Sequence, residues 1–369
     1  MLRKSRGGSR KAFLRSLGVI ALGLLAGALL SEVGLRAFGF NETLYDLYIP
    51  DEKVGARHYP GVSGVWTQEG HGEISINSQG LRDKEHLVSK PPGVWRFAVL
   101  GDSYAEAFQV DRDQTFWAQA EQRLSSCPAL DGLEVEAVNF GVAGYGTAQE
   151  LITLRTWAWE YEPDMILLAI TTGNDIRNNS AKLEPNDLRP YYRRMGEQLV
   201  LDTSFVSQIL FPDDLRPAWQ NSLISVANKF RLGQLLLKIG RTIRDRGGSS
   251  EVNDADREDL NEWEPGLDYQ VFVPPSTAVW EDAWWVTEAL ITEIWREVNS
   301  HSAGLLVVSL TSGIQVHPEP AVRSEFAESL SVRELNYPER RLAKYAAREG
   351  PPFLALLYPF LDHVERTGE

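Results

Sequence analysis

From residue 94 onward the chain alternates unbroken apolar blocks with longer stretches in which apolar residues recur at helical spacing. "RFAVLG" (96–101) reads as a strand buried on both faces. "QTFWAQAEQRLSS" (114–126) follows, with Phe116, Trp117, Ala120 and Leu124 along one face of a helix. The order then repeats. "LEVEAVNFGVAG" (133–144) predicts a strand and turn, "AQELITLRTWAWEY" (148–161) a helix, and "PDMILLAITTGND" (163–175) a third strand. Later come the helix "WEDAWWVTEALITEIWREVNS" (280–300), the strand "GLLVVSLTS" (304–312), the helix "PERRLAKYAARE" (338–349) and the strand "PFLALLYPF" (352–360). Strands alternating with helices predict an α/β fold, a three-layer sandwich around a mostly parallel central sheet.

Two regions break that alternation. Residues 40–92 contain the turn-rich pieces "YPGVSG" and "INSQGLRD" and read as an irregular lead-in with short strands. Residues 176–275 form an insertion. It carries "NSLISVANKFRLGQLLLKIGRTIRDR", an amphipathic helical pattern, then the polar "GGSSEVNDADREDLNEWEP", read as a solvated loop. The insertion is either a lid beside a site or an elaboration of the fold. The Trp280, Trp284, Ile291 and Trp295 stripe, with Trp285 beside it, reads as core rather than as a sugar-stacking surface. "RPYYRRM" (189–195) reads as a solvated loop.

The start of the chain differs from the rest. Arg3, Lys4, Arg6, Arg10, Lys11 and Arg15 stand in the first fifteen residues without an acid, and Ser16 to Ser31 carry no charge. A basic segment before an apolar run is an export or membrane-targeting pattern. Residues 1–15 are therefore expected in the cytoplasm and residues 16–36 as a transmembrane signal anchor. A signal peptide cut near Ala26-Gly27-Ala28 is the alternative. Residues from about 40 onward then lie outside the cytoplasm.

Composition narrows the function. The chain has 369 residues, 43% of them hydrophobic and 24% charged, which suits a globular domain. A formal net charge of −14 argues against a nucleic-acid partner. Cys127 is the single cysteine, so neither an internal disulfide nor a cysteine-based zinc site is expected. No Walker loop, dinucleotide fingerprint or H-E-x-x-H is present. The oligomeric state is not legible.

Three loops follow three successive strands and belong at one sheet edge, where open α/β folds place their ligands. They carry Gly101-Asp102-Ser103, "NFGVAGYGT" with Asn139, Gly141 and Gly144, and "TTGND" with Gly173, Asn174 and Asp175. Ser103 is either a turn residue or a nucleophile, because Ser, Asp and Gly all favour turns. The backbone N–H groups of Ser103 and Gly144 and the Asn174 side-chain amide are candidate donors to a developing oxyanion. Glycine at 144 has no Cβ to hinder a ligand's approach. Asp102 and Asp175 read as braces for their loops.

In order and context these blocks resemble the SGNH, or GDSL-type, hydrolases: "GDS", "NxGxxG" and "GND" at three strand ends, over residues 94–176. The resemblance implies a flavodoxin-like sheet and Ser103 as nucleophile, with Gly144 and Asn174 completing the oxyanion hole. It implies no cofactor and no metal. The layout, basic anchor first and domain after, looks like membrane-anchored bacterial members. The expected partners are an acyl ester, with acylated cell-envelope carbohydrate the class suggested by location, and the membrane through the N-terminal helix.

One block departs from the family. Its histidine lies in a D-x-x-H after the last strand, whereas this chain reads "YPFLDHVERTGE" there, with Asp362 and His363 adjacent. The D-x-x-H at Asp83 to His86 precedes the first core strand. His317 and His363 are the remaining candidates for the base, and His58, His71 and His301 read as surface or loop residues. The expectation is that residues 40–369 form the hydrolase-like domain without its C-terminal end and final helix. The enzyme reading is an ester hydrolase, or an O-acyltransferase using the same acyl-serine step. The other reading is a non-catalytic envelope binding or assembly protein.

Overall fold

A computed structural model describes residues 7–38, 47–67, 69–186, 188–210, 223–224, 226–247 and 267–368. Apart from Gly247, the polar stretch 247–265 lies outside them.

Helix α1 (Gly7–Ala37) contains a stretch, Arg15–Ala37, that is long and apolar enough to cross a membrane, with mean hydropathy 2.0. Among the described residues, none of that stretch is buried, and only Glu32, Gly34 and Leu35 are partly covered. The lead-in follows as two antiparallel hairpins, β1 (Tyr48–Asp51) with β2 (Gly55–His58) and β3 (Ser63–Trp66) with β4 (Gly72–Ser75). Leu47, Tyr59, Val62, Ile74, Ile76 and Phe108 form their shared core.

The central sheet has β5 (Val94–Leu100), β6 (Glu134–Asn139), β7 (Met165–Thr171), β10 (Gly304–Leu310) and β11 (Phe353–Ala355). All its pairings are parallel, in the order β11-β10-β7-β5-β6. In chain order that is 2-1-3-4-5 read from the β6 edge, the flavodoxin-like order. The last five residues of β5 are all buried, as a strand covered on both faces requires. The chain reverses direction after β6, so β7 lands on the other side of β5. The C-terminal ends of β5 and β7 therefore flank a topological switch point, where this architecture opens a crevice.

Between β5 and β6 run the short helix α2 (Ser103–Glu106) and α3 (Phe116–Leu124). Trp117 and Ala118 of α3 pack with Phe97, Val99, Ala137 and Leu167 on one face of the sheet. The other face is larger and holds α4 (Thr147–Thr156), which is buried over most of its length and packs on α8 (Ala278–Ser300), which in turn meets α10 (Tyr337–Glu349). The expected core role of the tryptophan stripe holds: Trp280, Trp284 and Ile291 are buried, and Arg341 stacks over Trp284 at 4.5 Å.

The insertion contains α5 (Asp175–Asn178), a hairpin of β8 (Tyr191–Met195) and β9 (Gln198–Asp202), α6 (Phe205–Leu210) and α7 (Arg231–Gly247). "RPYYRRM" is thus a strand with its lead-in, not a solvated loop: Tyr191 is buried, and Arg194 stacks over Trp285 at 4.4 Å. The C-terminal end also differs from expectation. After the helix α9 (Pro320–Ser329) and α10, β11 pairs over only three residues, and the rest of the apolar run continues as helix α11 (Leu357–Thr367). Leu357 and Val364, seven residues apart, are its buried positions, the spacing of one helix face.

Candidate active site

β5 delivers Asp102 and Ser103 to the C-terminal sheet edge. Asp102 caps α2, its Oδ1 accepting the Tyr104 N–H at 3.0 Å, so Ser103 is the first helical residue. The same oxygen accepts the Thr171 hydroxyl of β7 at 2.8 Å. Asp102 Oδ2 accepts the Asn174 side-chain amide at 3.0 Å and lies 3.5 Å from the Ser103 hydroxyl. One fully buried carboxylate therefore ties the first loop to the third and draws Ser103 and Asn174 together. The bond fixes the Asn174 amide, which has a second N–H to offer.

These two residues open onto a cavity of about 540 Å³ lined also by Tyr104, Gln109, Thr171, Gly173, Leu267 and Ser312. The Ser312 hydroxyl, after β10, and Asn174 Oδ1 are buried polar atoms without a hydrogen-bond partner among the described residues. A Cβ at Gly173 would stand 2.9 Å from both Ser312 Oγ and Leu267 Cδ1, so this wall is closely fitted around glycine.

Gly144 stands apart. It is exposed, does not line this cavity, and has φ +77°, with open space where a Cβ would point. Its backbone conformation, more than close packing, calls for glycine. Its loop is nevertheless held to Ser103's helix. Asn139 donates to the Ala105 carbonyl at 3.0 Å and accepts the Gly141 N–H at 3.0 Å. Glu106 accepts the Ala143 N–H at 3.0 Å. Glu106 is buried and also accepts from Tyr48 Oη at 2.8 Å, with His58 Nε2 at 2.6 Å.

His58 is consequently not the surface residue expected from sequence. It is 1% exposed, paired with Glu106 and flanked by the rings of Tyr48 and Phe108. His86 is buried too. Its ring nitrogens face Asp83 at 3.0 Å and Glu136 at 2.7 Å, within a network that includes Arg96 and Arg112. Burial pulls the His86 pKa down, but the two carboxylates outweigh it and the net direction is up. His301 stacks on Trp159 at 4.0 Å, His317 accepts the Glu319 N–H, and His363 is exposed on α11. No histidine is among the residues lining the cavity.

Behind Asp102 lie two more buried acids. Among the described residues, Glu150 of α4 has no hydrogen-bond partner for either carboxylate oxygen. Asp175 accepts the Thr171 N–H at 2.8 Å through Oδ2, while Oδ1 has no partner among the described residues. Burial, and then the Asp102 charge, pushes both carboxyls well above the usual range. Burial also raises Asp102, against its hydrogen bonds from Asn174, Thr171 and Tyr104. Sequence reading singled out Asp102 and Asp175 as braces but missed Glu106, Glu150, Thr171 and Ser312. Among the described residues no group of three or more His, Cys, Asp or Glu side chains is arranged to hold a metal ion.

No family model and no curated protein matches the chain. Among solved structures it is similar to TesA (12% identity, 70% of this chain and 76% of that one, TM-score 0.30). It is similar to the acetyl xylan esterase AlAXEase (11% identity, 73% and 82% coverage, TM-score 0.33). A GDSL-like lipase from Bacteroides thetaiotaomicron is a third (9% identity, 72% and 69% coverage, TM-score 0.27).

Proposed function

We propose that this chain is an exported, membrane-anchored SGNH-type enzyme acting on ester bonds through an acyl-serine. Its hydrolase-like domain begins near residue 40 and carries the 176–275 insertion. The observation that carries this reading is the sharing of Asp102 Oδ2 by the Ser103 hydroxyl and the Asn174 amide, at the switch point and facing one cavity. In this reading Ser103 Oγ attacks the ester carbonyl carbon, and its proton passes to the alkoxy oxygen of the ester as that C–O bond breaks. The Asn174 amide, with the backbone N–H groups of Ser103 and Gly144, takes the negative charge that develops on the carbonyl oxygen. The alcohol leaves, and water or an acceptor hydroxyl then releases the acyl group from Ser103. Gly144 joins the donors only if its exposed loop closes on the ligand. Acylated envelope carbohydrate is the substrate class suggested by location.

A second reading, an envelope binding protein with the same fold, is favoured by the surroundings of Ser103 Oγ. The cavity lining holds no histidine, and the adjacent carboxyl, Asp102, is raised by burial and already engaged by Asn174. A serine without a base is a weak nucleophile.

Fluorophosphonate labelling of the full chain separates the two. The enzyme reading expects covalent labelling that Ser103→Ala abolishes. It also expects Asn174→Ala to lower turnover of an activated ester by about 10²–10³, the usual effect of losing one oxyanion donor. Absence of labelling at Ser103 in folded protein rejects the enzyme.

A further inference from the structure

The insertion helix α7 meets α1 near the end of α1. Glu32, near the C-terminal end of α1, accepts the backbone N–H groups of Arg231 and Leu232 at 3.1 and 3.0 Å. These are the first residues of α7, so the insertion helix starts at the point where α1 hands over to the rest of the protein. Leu232 and Leu235 face Ser31, Gly34, Leu35 and Phe38 across a shallow groove. The apolar stripe of α7 continues past that groove through Leu236 and Ile239, which are 59% and 46% exposed. Phe230 and Val226, just before the helix, are about half exposed and enlarge the patch.

The helix is also basic. Residues 231–247 hold Arg231, Lys238, Arg241, Arg244 and Arg246 against one acid, Asp245, in a chain whose formal net charge is −14. A helix with an exposed apolar stripe and a net basic composition has the chemistry of a segment lying in a lipid interface. Its apolar surface is continuous with that of α1, the surface that itself needs lipid.

We propose that α7 lies on the outer face of the bilayer that α1 crosses, with Leu236 and Ile239 in the acyl boundary and its basic residues among anionic headgroups. This rests on the reading of α1 as a membrane anchor. The consequence is positional. Gln234 donates to the Ser63 carbonyl of β3 at 3.0 Å, and Trp66 of β3 packs on Phe108 with ring centroids 5.4 Å apart. Phe108 adjoins Gln109 and Val110, which line the Ser103 cavity. An α7 seated on lipid thus holds the cavity in a fixed relation to the membrane through ordered contacts, where an anchor helix alone would leave it to swivel.

The test uses the full chain with Cys127→Ser, and one cysteine returned at a time by Leu25→Cys, Leu236→Cys, Ile239→Cys or Met195→Cys. Each is labelled with an environment-sensitive fluorophore and reconstituted into vesicles of phosphatidylethanolamine and phosphatidylglycerol with or without nitroxide-bearing lipid. The expected result is blue-shifted, nitroxide-quenched emission at positions 25, 236 and 239 and neither effect at 195. Replacing phosphatidylglycerol by phosphatidylcholine should reduce quenching at 236 and 239 and leave 25 unchanged. Quenching at 25 with none at 236 and 239 overturns the inference and leaves the anchor standing. A blue shift at 236 and 239 without quenching means that protein covers the stripe and also overturns it. No quenching at 25 removes the anchor itself.

Discussion

At the scale of single residues the site is organised by a carboxylate rather than by its serine. Asp102 holds four groups, two from α2, one from β7 and one from the third loop, and two further buried acids, Glu150 and Asp175, stand behind it. Three carboxyls this close and this dry cannot all be charged without repulsion. This has a consequence for stability. A carboxyl raised by folding binds more protons in the folded than in the unfolded chain between its two pKa values. Glu150 therefore contributes stability that is present below its ordinary value of 4.5 and is lost as pH rises toward its raised value. Glu150→Gln removes that ionisation and relieves Asp175. The melting temperature of the variant, relative to the unaltered protein, should climb as pH increases above the ordinary value. Thermal unfolding across a pH series checks this, and parallel curves for the two proteins would refute it. Ser103 and Asn174 were legible in the sequence because each closes a strand that is itself legible. Glu150 was not, since an acid within a helical pattern looks solvated until the packing around α4 is known. His58 was misread for the same reason: its partner, Glu106, is 48 residues away.

The elements meet at close quarters where β6 ends. A Cβ built on Gly141 would stand 2.6 Å from Ala105 Cβ and 2.8 Å from the Glu106 nitrogen. The obstacle includes backbone of α2, which is held by Trp117, Asn139 and its own turn. Gly141→Ala should therefore push the second loop off the first and destabilise the protein by about 1–3 kcal/mol, the range for an overpacked interior. Urea unfolding measures it, and an unchanged midpoint would show that α2 yields freely. The strands β5, β7 and β10 were readable because sheets covered on both faces leave near-continuous apolar blocks. The last apolar block misled because continuity alone does not separate strand from helix. After Ala355 its buried positions, Leu357 and Val364, fit a helix. The β8–β9 hairpin was missed although Gly196-Glu197 forms a two-residue connection with glycine first, at φ +66°. Glycine at the first loop position is a hairpin signal. The arginines around it drew attention to charge instead.

For the whole molecule, the contrast between α1 and everything after it underlies the proposed anchor and its orientation. Leu22, Leu24, Leu25, Leu29 and Leu30 are all more than 60% exposed, and the membrane-length part of the helix touches too little protein to be a core element. In water it would present an apolar surface far beyond the isolated exposed leucines of ordinary domains. A bilayer around α1, as proposed, would remove that exposure. Orientation across the lipid then follows from charge. Six basic residues and no acid precede the apolar run, and segments rich in lysine and arginine stay in the cytoplasm. The Ser103 cavity and α7 are consequently expected on the far side. A reporter that works only in the cytoplasm, fused after residue 60, should be silent, and one that works only after export should be active. Reversing the bias should reverse the result: with all six basic residues replaced by glutamine, export of the second reporter should fall. Full activity of the cytoplasmic reporter in the unaltered sequence would place the cavity inside the cell. Envelope carbohydrate would then be withdrawn as the substrate class, while the shared carboxylate between Ser103 and Asn174 would still call for the labelling experiment.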